Sequence, residues 1–175
     1  MVKEFPTLQG VMGKHYALNA KEKKEEESVA IALGEQYLPQ GNRLPRTVIG
    51  SALSIIDKFD TLVSYFGLGI KPTGDQDPFG LRRAAQGIVE VAWNIHKPLP
   101  INQLFNTRVE KEPRKPFDVM NPSDIARVGK RIQQYLLERL YTFAWPHPVP
   151  ARDFIDAVVS SPGDDLVDVM DRIRA

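Results

Sequence analysis

Cysteine is missing from all 175 residues, which removes both a disulfide framework and a thiolate metal site. Histidine is scarce. His15, His96 and His147 lie far apart in three unrelated settings, and none has a second histidine or a carboxylate at a ligand spacing such as H-E-x-x-H. No metal site is therefore expected. No apolar run approaches the roughly 20 residues that cross a bilayer, and the start of the chain is polar and mixed, without a signal-peptide pattern. No membrane partner is expected, and the cytoplasm is the expected setting. Charge of one sign is also lacking. A formal net charge of +1 argues against a basic footprint over the whole surface and leaves room only for a local patch. The chain holds no G-x-S-x-G, no Walker loop and no G-x-G-x-x-G, so no catalytic residue is expected.

What is present reads as helix. The hydrophobic fraction of 42% and charged fraction of 26% are ordinary for a globular protein, and the length can bury a sizeable core. Residues 8–19 read as a short helix. A mixed-charge run at 22–27 leads, as a solvated start, into a helix that Pro39 ends. Gly41, Asn42 and Pro45 mark a loop. Thr47 caps a helix over 48–66, with Ile49, Ala52, Leu53, Ile56, Phe59, Val63 and Phe66 at helical spacing. Asp77 as N-cap and Pro78 at the first helical position open a helix to Ile95. A short helix over 101–109 and a loop over 110–116 follow. Asn121 or Ser123 caps a long helix to Phe143, whose stripe is Ile125, Val128, Ile132, Tyr135, Leu136, Leu140 and Phe143. The proline-rich stretch 145–150 reads as a stiff linker, leading to short helices over 151–160 and 164–174. No strand-like alternation and no internal repeat appears, so the class is all-α.

A few charged residues stand in telling places. At roughly 100° per residue, Asp60 falls between Leu53 and Ile56 on the expected buried stripe, and Asp57 lies at its edge. A buried carboxylate without a partner is costly. It is therefore either a metal ligand or general base, or a carboxylate neutralised by an arginine or loop amides; the absence of nearby histidine favours the second. Arg139, between Val128 and Ile132 on its stripe, is the natural counterpart, snorkelling to the surface or finding a buried acid. Asp60 and Asp156 are the plausible acids. Arg82 and Arg83 open a helix just after Lys71 and the Gly74 loop. They could pair with Asp57, Asp60 or Asp77, which spacing favours, or contact phosphate together with Lys71.

Several stretches carry a resemblance. Leu8-Gln9-Gly10-Val11-Met12-Gly13-Lys14-His15-Tyr16-Ala17, Tyr37-Leu38-Pro39, Asp57 to Leu62, Pro72 to Ala85 and Phe154 to Val158 are similar to LQGxMGxxYA, YLP, DKxDTL, PTGxxDPFxLRRAA and xxIDAV elements of the bacterial-type glycyl-tRNA synthetase β subunit. The resemblance runs in order along nearly the whole chain. It implies an excised interior piece of a subunit several times longer, within an α2β2 ligase that joins glycine to tRNA with ATP. The ATP and its magnesium would sit at the α subunit, and no cofactor in this piece. The fold implied is an HD-domain-like helical bundle over 1–144, followed by a linker and short helices over 145–175. Asp57 matches the last aspartate of an H…HD…D ligand set, but no His-Asp dipeptide occurs in the chain, which makes a structural relic the better reading. The implied role is a non-catalytic module that binds glycine tRNA through Lys71, Arg82 and Arg83. The α subunit and the rest of the β subunit are its other partners. The alternatives are a scaffold with little tRNA contact or a residual metal-dependent phosphohydrolase.

Overall fold

The computed structural model describes residues 8, 10–19, 25–41, 43–70, 72, 77, 79–111 and 116–175, with the main chain alone at 25–27. Among them are eight α-helices: α1 (Val11–Asn19), α2 (Glu25–Glu35), α3 (Val48–Gly67), α4 (Leu81–Ile95), α5 (Ile101–Lys111), α6 (Pro122–Leu137), α7 (Arg152–Val159) and α8 (Leu166–Arg174). Short 3-10 turns occupy Phe117–Val119 and Glu138–Thr142. The described residues form no strand, only isolated bridges between Gln40 and Arg43 and between Pro100 and Asp165. The all-α class holds. No helix among the described residues is long and apolar enough to cross a membrane.

The centre is α3 against α4, with α6 across both and α8 closing the far side of α4. Thr47 has extended backbone, and its hydroxyl accepts from the Gly50 amide at 3.0 Å, satisfying one of the open donors of α3. The buried stripe of α3 is Ser51, Ser54, Ile55, Phe59, Leu62, Val63 and Phe66. From Phe59 onward this agrees with the sequence reading. The first half does not: Ile49 and Ile56 are 55% and 54% exposed, and Ala52 is exposed. Here the neighbour is the chain leaving α2, where the Ser54 hydroxyl donates to the Leu38 carbonyl, and Ile49 and Ile56 face out.

The α4 helix starts later than Asp77-Pro78 implied. Gly80, at φ +69°, takes a left-handed turn that only glycine adopts cheaply, and the helix begins at Leu81. Asp77 still caps, at a distance: its carboxylate accepts from the Leu81 amide at 2.7 Å and the Arg82 amide at 3.0 Å. Asn121, rather than Ser123, caps α6, accepting from the Asp124 amide at 2.9 Å. That helix gives way to the 3-10 turn at Glu138 instead of running on to Phe143, and α5 runs two residues past its expected end.

The segment beyond 144 is no free spacer. Trp145 is 8% exposed, its indole N–H donates to the Leu140 carbonyl at 3.0 Å, and its ring meets Trp93 and Phe143 edge-on. Leu166, Val167, Val169, Met170 and Ile173 of α8 join the same buried cluster as Ile88 and Ile132. Residues on both sides of the expected 144/145 boundary thus share one core.

The entry to α3 depends on close approach at Gly50. A Cβ there would lie 2.0 Å from the Glu35 carboxylate, 2.8 Å from Glu35 Cβ and 2.8 Å from the Thr47 hydroxyl. Gly50→Ala should therefore lower stability in denaturant unfolding by about 1–3 kcal/mol through overpacking. A gain of up to about 1 kcal/mol from helix propensity alone would be the outcome if Glu35 could swing aside.

Candidate nucleic-acid interface

The acids of α3 are shallower than the sequence implies, because the stripe is turned. Asp57 is half-buried and accepts from the Gln36 side-chain amide at 2.8 Å. Asp60 is 48% exposed and pairs with the Arg108 guanidinium on α5. Asp156 on α7 accepts from the Tyr141 hydroxyl at 2.6 Å. That bond and burial push the Tyr141 phenol above its ordinary pKa. Both acids proposed for Arg139 are thus engaged elsewhere, and that pairing does not form. Arg139 is 18% exposed; it lies 3.5 Å from the solvent-facing carboxylate of Glu138 and 5.1 Å above the Tyr135 ring, with its Nε unpartnered. No three His, Asp or Glu side chains among the described residues cluster as a metal would need.

What Arg139 does is face α4. An open groove of about 410 Å³ is lined by Arg82, Arg83 and Arg139, with Gln86, Glu90 and the turn at Pro39 and Gly41 on its walls. The sequence set Arg139 apart from the Arg82–Arg83 pair; the fold brings all three to one recess. Arg83 is exposed and its guanidinium reaches back over Gly80. Arg82 is half-buried. Glu90, on the wall, accepts from the Gln86 amide at 3.1 Å. Tyr135 sits beneath, its hydroxyl buried without a partner. Burial pushes that phenol above its ordinary pKa, with the charges of Arg139 and Arg82 lowering it and those of Asp77 and Glu138 raising it. Guanidinium groups converging from two helices suit phosphate, which they bind bidentately. Lys71 lies outside the described residues.

The wall of the groove is a turn pinned from below. Gln40 and Arg43 exchange both backbone hydrogen bonds at 3.2 Å. The Ser54 hydroxyl donates to the Leu38 carbonyl, and the Lys58 ammonium donates to the Leu38 carbonyl, to the Gln36 carbonyl at 3.2 Å and to the Ser54 hydroxyl at 2.9 Å. Burial lowers the Lys58 pKa from 10.5 to about 8, against the upward pull of Asp57. Nothing in the sequence marks Lys58 for this role except its place one turn after Ser54 on the face that turns inward.

Fold and groove together describe a helical module with a cationic recess. Residues 1–160 match the family described as glycyl-tRNA synthetase beta subunit, and the chain belongs to that family. It is 42% identical, over its whole length, to a glycine–tRNA ligase beta subunit of Halothermothrix orenii, of which it covers 24%. It is 40% identical, again over its whole length, to that of Dichelobacter nodosus, of which it also covers 24%. Over 58% of its length it is 53% identical to the Azotobacter vinelandii subunit. The chain spans about a quarter of the length of the first two relatives.

Two outcomes follow from these contacts. Arg139→Met orphans no buried carboxylate, so unfolding stability should change by about 1 kcal/mol or less; a loss of about 3–5 kcal/mol would reveal a buried charge partner. For Lys58, the folded pKa of about 8 lies below the unfolded value of 10.5. Between those values the unfolded chain holds the extra proton, so Lys58 makes stability rise with pH across that window. The wild-type stability minus that of Lys58→Gln should rise from pH 8 to 10.5, and a difference that falls would contradict the burial of the ammonium.

Proposed function

We propose that this chain is a non-catalytic, tRNA-contacting helical module of a cytoplasmic glycine–tRNA ligase β subunit. The observation that carries the reading is the groove shared by Arg82, Arg83 and Arg139, joined to the membership of the family. Phosphate contacts position a nucleic acid without reading its sequence, and three guanidiniums on rigid helices do that work. Glycine tRNA, the α subunit and the remainder of the β subunit are the partners this reading requires. ATP and magnesium at the α subunit, with no cofactor held by this chain, are part of the same reading and rest on the family resemblance. The resemblance to an HD-like bundle, with Asp57 as a relic of its ligand set, is part of the same reading.

A second role has its own support. Val48, Ile49 and Ile56 are 64%, 55% and 54% exposed along one side of α3. Such an apolar helix face suits docking against another domain of the subunit.

The tRNA role is tested by titration at several salt concentrations. Arg83→Ala should weaken tRNA binding about equally for tRNAs of different sequence and reduce the slope of log affinity against log salt by about one unit. The melting temperature should not move, since Arg83 is exposed. Unchanged affinity would remove the groove from the tRNA contact.

A further inference from the structure

Across the 38–44 turn from the arginine groove lies a larger recess of about 600 Å³, formed by α1, the end of α2 and the approach to α3. Lys14, His15, Arg43 and Arg46 line it, with Glu35 as the carboxylate among its lining residues. Glu35 is hydrogen-bonded to the chain around it. One oxygen accepts from the Arg46 amide at 2.9 Å, and the other from the Thr47 amide at 3.1 Å and the Thr47 hydroxyl at 2.6 Å. Burial raises the Glu35 pKa, but those donors and the Arg46 charge outweigh it and hold the carboxyl below its ordinary range. The side chains of Lys14, His15 and Arg43 have no hydrogen bond or ion pair among the described residues. The stem of Lys14 lies across Gly34, where a Cβ would stand 3.2 Å from it, so the ammonium is carried on a supported stem.

Lys14, Arg43 and Arg46 outnumber Glu35, the carboxylate among the described lining residues, and together form a site for an anion. Its position says which kind. Pro39 and Gly41 line the arginine groove, while Leu38 and Arg43 line this recess, so a single paired turn separates the two. A small anion or a lone carboxylate would fill one side only. A backbone with a phosphate at every nucleotide reaches both sides across the turn. Resting on the tRNA reading above, we infer that the Lys14–Arg43 recess is a second RNA-backbone site, beside the arginine groove and served by the same RNA.

The test is a salt titration of the full 175-residue chain with tRNA and, separately, with polyglutamate. Lys14→Ala/Arg43→Ala should lower tRNA affinity about tenfold at moderate salt and cut the salt slope by about two units, with little dependence on tRNA sequence. Lys14→Arg/Arg43→Lys keeps both charges and should keep the affinity, and the melting temperatures of both variants establish that each folds. Unchanged tRNA affinity and slope in the alanine variant would overturn the inference. So would a loss confined to polyglutamate, which would mark an acidic protein segment as the occupant, or an equal loss in the charge-keeping variant. Arg83→Ala is scored apart. Loss there with none in Lys14→Ala/Arg43→Ala leaves the arginine groove standing and removes this recess; the opposite pattern supports the recess and removes the groove.

Discussion

The arrangement of both recesses depends on one half-buried ammonium. Lys58 and Ser54, one turn apart on α3, reach the carbonyls left open where α2 ends, at Gln36 and Leu38. Those carbonyls lie just past the end of α2 and outside any helix ladder, and leaving them buried and unpaired would cost on the order of 1–3 kcal/mol each. Burying an ammonium is itself unfavourable, which its lowered pKa records. Acceptors gathered around the nitrogen offset that cost and fix where the chain can leave α2. The turn at 38–44 follows from that exit, and the two cationic recesses lie on either side of it. A methylene stem in the same place would fill the volume and leave the Ser54 hydroxyl as the donor to Leu38, with the Lys58 bond to the Gln36 carbonyl lost.

A second clamp acts at the other end of the same loop. Glu35, the last residue of α2, takes the two amides and the hydroxyl that precede α3. Thr47 then passes the chain on by accepting from Gly50. One carboxylate thus ends one helix and organises the start of the next, and Gly50 is small because that carboxylate lies against it. The loop is held at both ends by polar contacts, most of them half-buried, rather than by apolar bulk. That is why α3 turns serines inward over its first half and leaves Val48, Ile49 and Ile56 outside.

Most of the fold was legible in the sequence, and the exceptions share a cause. Thr47, Asn121 and the spacing of Phe59, Val63 and Phe66 located their helices, since cap chemistry and apolar period are local signals. The first half of α3 was misplaced because hydrophobicity alone assigns Ile49 and Ile56 to the core, whereas the demand for donors from α2 is a tertiary fact. Gly80 delayed α4 because Asp77 caps equally well across a left-handed residue. The proline-rich stretch read as a spacer although Trp145 anchors its first residue in the core.

The candidate site was half legible for the same reason. Arg82 and Arg83 stood out by motif, but Arg139 was assigned an acid it never meets. The rule that a buried cation seeks a carboxylate is sound; it was applied without knowing that Arg108 holds Asp60 and Tyr141 holds Asp156. With those acids occupied, Arg139 keeps an unpartnered Nε and shares the groove of the arginine pair. Lys14, Arg43 and Glu35 gave no signal at all, being scattered along a charge-mixed N-terminal third. A net charge of +1 conceals such a surface, because the sum over a chain is blind to where each charge lies. Here Glu35 and Asp77 are turned onto backbone amides, and arginines and a lysine line the recesses on either side of the 38–44 turn. Local excess of this kind attracts a polyanion without making the protein as a whole basic.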